Sequence, residues 1–216
     1  LVAEPFLFDG FDGYVGDTEA ACANFRALGT GDNEWFTPVQ YIEAARRVLG
    51  RVDLDPASHP MAQAIVQAGE YFTKADDGLK HPWYGRVWLN PPYARGALGS
   101  FVGKLLGEIE IGNTAAAIML THNYTDSAWF QQAAKVLRTM CFARQRIYFF
   151  NPQGDEVRPT QGQVFWYYGP EAAMTKRFVT EFGDIGLIAT IDPALAVPPK
   201  QGDLWHWLAR REPYER

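Results

Sequence analysis

Val87-Trp88-Leu89-Asn90-Pro91-Pro92-Tyr93 runs an apolar, strand-like segment straight into two consecutive prolines. A residue ahead of a proline is pushed out of the helical region, and a proline ring fixes its own φ. Asn90 and Pro91 each precede a proline, so both are held extended where the strand ends. The Asn90 amide oxygen and the Pro91 carbonyl then form a stiff pair of acceptors, with Tyr93 just beyond. Two acceptors beside an aromatic face suit an exocyclic amine on a planar ring. The amine's lone pair is delocalised into the ring. Accepting hydrogen bonds from both of its N–H groups favours a pyramidal nitrogen with a localised pair, while the ring stacks on the aromatic side chain. The tetrapeptide arises by chance in roughly one chain per thousand of this length, which weighs against a mere surface turn. A proline-rich partner ligand fits worse, because the tyrosine directly follows the second proline.

Working outward, Thr37-Pro38 predicts a helix start, with Thr37 as N-cap, Pro38 at N1 and Gln40 completing a capping box. Val39, Ile42, Ala45 and Leu49 share one face of that helix, and Gly50 ends it. A short strand over 52–55 breaks at Pro56, and 61–68 reads as helix. Strand 86–89 leads into the proline motif and the glycine-bearing loop 94–100. Beyond it the pattern predicts a helix over 98–109, a buried strand over 115–120 and a helix over 126–136 starting at Asp126. Two aromatic β runs, 139–150 and 163–168, flank a polar loop with Asn151-Pro152 and Gly154-Asp155. A helix over 171–182 and a strand over 186–191 follow. This alternation predicts an α/β fold with a mainly parallel sheet and one antiparallel hairpin at an edge. Residues 1–33, rich in Gly and Asp, read as an arm or linker with a short helix over 19–28, and 34–216 as one domain.

Hydrophobic residues make up 47% of the 216, ample for a large core. No stretch reaches the twenty apolar residues of a membrane span, and no leader pattern opens the chain. Leu1 in place of methionine is what a fragment or a processed chain would show. Cys22 and Cys141 stand far apart, which suits a reducing cytoplasm. His59, His81, His122 and His206 have no metal-ligand spacing, so no metal site is expected. The net charge of −5 confines any nucleic-acid contact to a local patch.

The ordered set Trp35-Phe36-Thr37-Pro38, Asp53-Leu54-Asp55-Pro56-Ala57-Ser58, Tyr71-Phe72-Thr73, Asp76-Asp77-Gly78-Leu79, Trp83 and Asn90-Pro91-Pro92-Tyr93 resembles the phage-type, Dam-like DNA N6-adenine methyltransferases. The resemblance covers roughly 33–170, with its specific motifs in 35–93. It implies a trimmed Rossmann-like fold, S-adenosylmethionine as cofactor, double-stranded DNA as substrate, and a bacterial cytoplasm as the setting, with a phage or prophage gene. The catalytic motif would be Asn90 to Tyr93. Trp35, Phe36, Thr37 and Pro38 would open the cofactor site. Asp53, Asp55, Pro56, Ala57 and Ser58 would form the first cofactor strand and its loop, one acid receiving the ammonium or the ribose hydroxyls. Asp77 would accept from the cofactor's adenine amino group.

Wider relatives carry a Gly-rich turn after the first acid, and Pro56-Ala57-Ser58-His59-Pro60 replaces it here. No insertion is long enough for a separate DNA-recognition domain, so sequence reading falls to loops: Arg95 in 94–100, and Arg144, Arg146, Arg158, Gln161 and Gln163 around the hairpin. The segment 122–126 lies at the same sheet edge. Two rival readings stay open at this point. One is a methyltransferase acting on a protein glutamine or an RNA base; the other is a degenerate fold kept as a DNA-binding or scaffold module.

Overall fold

The computed structural model of the chain describes residues 36–93, 96–150, 156–157, 159–192 and 194. The arm expected over 1–33 and the side chains of Trp35, Arg95 and Arg158 fall outside these. The described elements begin α1 (Val39–Leu49), β1 (Leu54–Asp55), α2 (Gln63–Val66), β2 (Glu70–Tyr71), a 3-10 turn (Gly78–Lys80) and β3 (Gly85–Leu89). They continue α3 (Ala97–Glu110), β4 (Thr114–His122), α4 (Ala128–Val136), β5 (Thr139–Ala143), β6 (Phe149–Phe150) and β7 (Glu156–Val157). The last are β8 (Gln163–Tyr168), α5 (Ala172–Gly183) and β9 (Gly186–Thr190).

Alternate residues of the central strands feed two separate cores. Val87 and Leu89 of β3, and Ala117 and Met119 of β4, pack with α3 and α4. Trp88, Ala116, Ile118 and Leu120 pack on the other face with α1, α2 and α5. Strands buried on both faces need a helical layer on each side, and the chain supplies both.

Seven strands form one sheet in the order β2-β1-β3-β4-β8-β5-β9. β2, β1, β3 and β4 are mutually parallel, with Leu54 level with both Glu70 and Val87. β8 runs antiparallel to β4 and to β5, and β9 antiparallel to β5. From β1 the chain crosses to β2 on one side and then to β3 on the other. The gap between β1 and β3 is therefore the topological switch point, outside whose carboxyl strand ends open α/β sheets bind ligands. Asp55 ends β1 and Asn90 follows β3 there. This is the trimmed Rossmann-like arrangement that the resemblance implies. No helix among the described residues is long and apolar enough to cross a membrane.

Several local expectations need correction. The antiparallel pair β5–β8 is interior: β8 lies between β4 and β5, and β9 forms the edge. The aromatic run 139–150 breaks after Ala143, and Phe149–Phe150 leaves the sheet to pair with β7 and to bridge Phe36. Helix α2 is a single turn, ended by Gln67 in the left-handed region (φ 52). Helix α4 starts after Ser127, whose hydroxyl accepts from the Phe130 N–H, so Asp126 is not its cap. Pro38, not Thr37, is the N-cap of α1, and no side chain among the described residues caps that end.

Candidate active site

The segments that carry the sequence motifs meet at one end of the sheet. The Asn90 Nδ2 donates to the Thr37 hydroxyl at 3.2 Å, joining the start of α1 to the end of β3. The rings of Phe36 and His59 lie 5.6 Å apart, joining the same helix start to the loop after β1. That loop is held from below by the Ser58 N–H, which donates to the Phe72 carbonyl at 2.8 Å. A Cβ at Gly78 would stand 2.0 Å from the Pro56 carbonyl oxygen, so glycine is what allows the 3-10 turn to lie against the loop. Asp77, just before it, holds a left-handed backbone (φ 54), which aspartate tolerates better than most residues. Its half-buried carboxylate meets Lys80 at 3.1 Å.

Asn90 sits half-buried in the middle of this convergence. Its Oδ1 accepts from the Tyr93 hydroxyl at 3.0 Å, and the same hydroxyl reaches the Leu120 carbonyl at 3.3 Å. One proton thus faces two acceptors. Burial pushes the Tyr93 pKa well above its ordinary value, so the hydroxyl keeps that proton. The ring lies 4.2 Å from the His122 imidazole and 6.4 Å, edge-on, from Phe149. The buried Nδ1 of His122 has no hydrogen-bond partner among the described residues, and burial lowers the pKa of this ring. Sequence reasoning expected an open Tyr93 face; the structure turns the hydroxyl inward onto Asn90.

The two acids after α1 separate. Asp53 precedes β1 and lies beside the start of β3: its carboxylate accepts from the Arg86 N–H at 2.9 Å and pairs with Arg51. That places it away from the carboxyl strand ends, as a brace for β3. Asp55, at the end of β1, is buried under its own loop. It accepts from the Ala57 N–H at 3.4 Å and the Gln63 Nε2 at 3.1 Å, and Gln63 also reaches the Ser58 hydroxyl. These bonds build without glycine the loop that wider relatives build with it.

Burial raises the Asp55 pKa from 3.8 to about 6, against the lowering effect of Ser58, Ala57 and Gln63. The unfolded chain therefore ionises this acid before the folded one does. Stability should fall as pH rises from about 4 to about 6 and level off above, by about 3 kcal/mol in all. Urea melts of the wild type and Asp55→Asn across this window should show the wild type losing ground by that amount. A constant difference between the two would mean that Asp55 ionises as freely in the fold as outside it.

β5 is parallel to β4, so Arg144 and Arg146, which follow it, stand at the same sheet edge as Asn90, and both are exposed. Gln161, partly buried, joins them there. Gln163, expected to stand with them, is buried instead. It is 1% exposed, its Oε1 accepts from the Ile147 N–H at 3.1 Å, and its Nε2 donates to the Gln161 carbonyl at 2.7 Å. It is a tie between two loops. Sequence reasoning assigned no role to Phe149, whose apolar run looked like ordinary strand; its ring contact with Tyr93, beside the bridge from Phe150 to Phe36, is what brings it to the site.

Residues 28–166 match the family described as DNA N-6-adenine-methyltransferase (Dam). A DNA N-6-adenine-methyltransferase of Escherichia phage T1 is 31% identical over 102 residues, which cover 46% of this chain and 40% of that protein. No solved structure matches the chain. The matched span takes in α1, both switch-point strands, Asn90 to Tyr93 and most of β8, and on that ground the chain belongs to the Dam family of DNA N-6-adenine-methyltransferases.

Proposed function

We propose that the protein methylates the N6 amine of an adenine flipped out of double-stranded DNA, using S-adenosylmethionine. The observation that carries this is the convergence of the α1 start, the Pro56–Ser58 loop, the Asp77–Gly78 turn and Asn90 at the β1/β3 switch point. The residues there fit the cofactor's chemistry. Among the described residues no side chain caps the N-terminus of α1, and its first turn holds no acid, leaving N–H groups and a positive dipole end for a carboxylate. Phe36, Thr37 and Pro38 frame that end, with Trp35 before them. The Pro56-Ala57-Ser58 loop and the Asp77 carboxylate offer acceptors for hydroxyl and amino groups. When bound, S-adenosylmethionine supplies a methyl group on a cationic sulfur.

The chain's own work is alignment. The Asn90 Oδ1 and the Pro91 carbonyl receive the two N–H groups of the target amine, Pro92 stiffens the turn, and Tyr93 offers its ring to the base. Such preorganised acceptors and positioning supply most of the acceleration without a covalent step. The duplex hides the amine from in-line attack, so the base must leave the stack. Arg144, Arg146 and Gln161, with Arg95 and Arg158, serve the phosphates and base edges around it.

The test offers radiolabelled S-adenosylmethionine with duplex DNA, RNA or bacterial protein, alongside a calorimetric cofactor titration. Label should enter DNA at adenine, with cofactor binding measurable alone. Label entering RNA or protein instead would overturn the substrate. A flat titration would leave a scaffold.

A further inference from the structure

We infer that Asn123 and Arg146 act together as a fork that reads the acceptor edge of a guanine beside the target adenine, an inference that rests on the DNA-methyltransferase reading above. The observation is at Gly162. Its backbone is not among the described left-handed positions, so conformation does not call for glycine there. Space does. A Cβ at Gly162 would stand 2.6 Å from the Asn123 Nδ2 and 2.9 Å from the Arg146 Nη1. Two exposed donors, from different loops, thus close on one spot.

Their backbones are tied in place. The Asn123 N–H donates to the Gly162 carbonyl at 3.0 Å. The buried Gln163 holds the turn carrying Arg146, through the Ile147 N–H, and the approach to Gly162, through the Gln161 carbonyl. A recognition group whose supports are locked in this way loses little freedom on binding. No carboxylate pairs with Arg146 among the described residues, although the chain as a whole carries a net charge of −5. The fork also stands next to the chemistry: Asn123 follows His122, whose ring lies 4.2 Å from Tyr93.

Nδ2 and Nη1 donors converging on one spot match the N7 and O6 acceptors that guanine alone presents side by side in the major groove. Adenine offers an acceptor and a donor at the same two places, and leaves one donor of the fork unpaired.

The experiment measures methyl transfer to duplexes changed one base at a time around the adenine, for wild type, Asn123→Ala, Arg146→Lys and Gly162→Ala. At one flanking position the wild type should prefer guanine, and each variant should weaken that preference about tenfold or more. Replacing that guanine by 7-deazaguanine should harm the wild type and add little harm in the variants. Cofactor affinity and melting temperature should stay near wild type, since the Gly162→Ala methyl displaces only flexible side-chain ends. Variants that lose rate evenly over all sequences while keeping the wild-type preference would reduce the fork to phosphate contacts and overturn the inference. So would a wild type that methylates DNA with no preference for guanine at any flanking position. A wild type that methylates no DNA at all would sink the functional reading itself, and the fork with it.

Discussion

Asn90→Ala should lower single-turnover methylation by about two to three powers of ten, the scale of losing one preorganised polar partner, while leaving cofactor affinity within a few-fold. The geometry argues for a loss in the chemical step. The Nδ2 end of the amide is spent on the Thr37 hydroxyl at 3.2 Å, which fixes the Oδ1 end toward Tyr93 and the pocket. Alanine removes an acceptor already aimed before the base arrives. It leaves the α1 N-terminus, the Pro56–Ser58 loop and Asp77 in place, so the cofactor should bind. Calorimetry and rapid-quench transfer on the same preparations separate the two effects. A variant that keeps more than a tenth of the wild-type rate would count against Asn90 as the acceptor, and equal losses in cofactor affinity and rate would make it a structural link to Thr37.

Reading from sequence worked where one residue's local chemistry settled its geometry. Paired prolines hold Asn90 extended whatever surrounds them, and the unbroken apolar run 115–120 requires cover on both faces of its strand. The order of motifs also sufficed to bring the segments together, because β1 and β3 are neighbours in the sheet. It fell short where a polar group had two suitors. Thr37 followed by Pro38 makes a good cap locally, but its hydroxyl is taken by an amide 53 positions away, an interaction with no local signal. Asp53 and Asp55 look equivalent two residues apart, until the start of β3 claims the first and the β1 loop the second. Gln163 resembled a base reader because a glutamine between loops is usually exposed. Its place at the mouth of an interior strand could be known only once β8 was seen inserted between β4 and β5.

Tyr93 joins packing to chemistry, and two substitutions there should part company. Its hydroxyl has one proton for two acceptors, the Asn90 Oδ1 and the Leu120 carbonyl. When the proton turns to Leu120, the Asn90 oxygen is left for a target amine. In the resting protein, therefore, the hydroxyl stands where the substrate's N–H will be. Tyr93→Phe removes that internal competitor, at a stability cost of about 1 kcal/mol for the lost hydrogen bonding, and keeps the ring. Target binding and rate should stay close to wild type. Tyr93→Ala removes the ring from its contacts with His122 and Phe149 as well. Stability should then fall further, toward the lower end of the 3–5 kcal/mol seen for buried aromatics because Tyr93 is only half-buried. Affinity for target DNA should weaken by about 1–3 kcal/mol as stacking is lost. Thermal melts, cofactor titration and binding to duplexes with 2-aminopurine at the target position measure the three quantities in parallel. Stacking on tyrosine quenches 2-aminopurine, so the alanine variant should give the brighter complex wherever the base still flips. If phenylalanine proves as damaging to rate as alanine, the hydroxyl takes part in the reaction instead of yielding to it. If alanine binds target DNA as the wild type does while melting many degrees lower, the ring is a prop beneath the turn, and the base must find its stacking partner elsewhere.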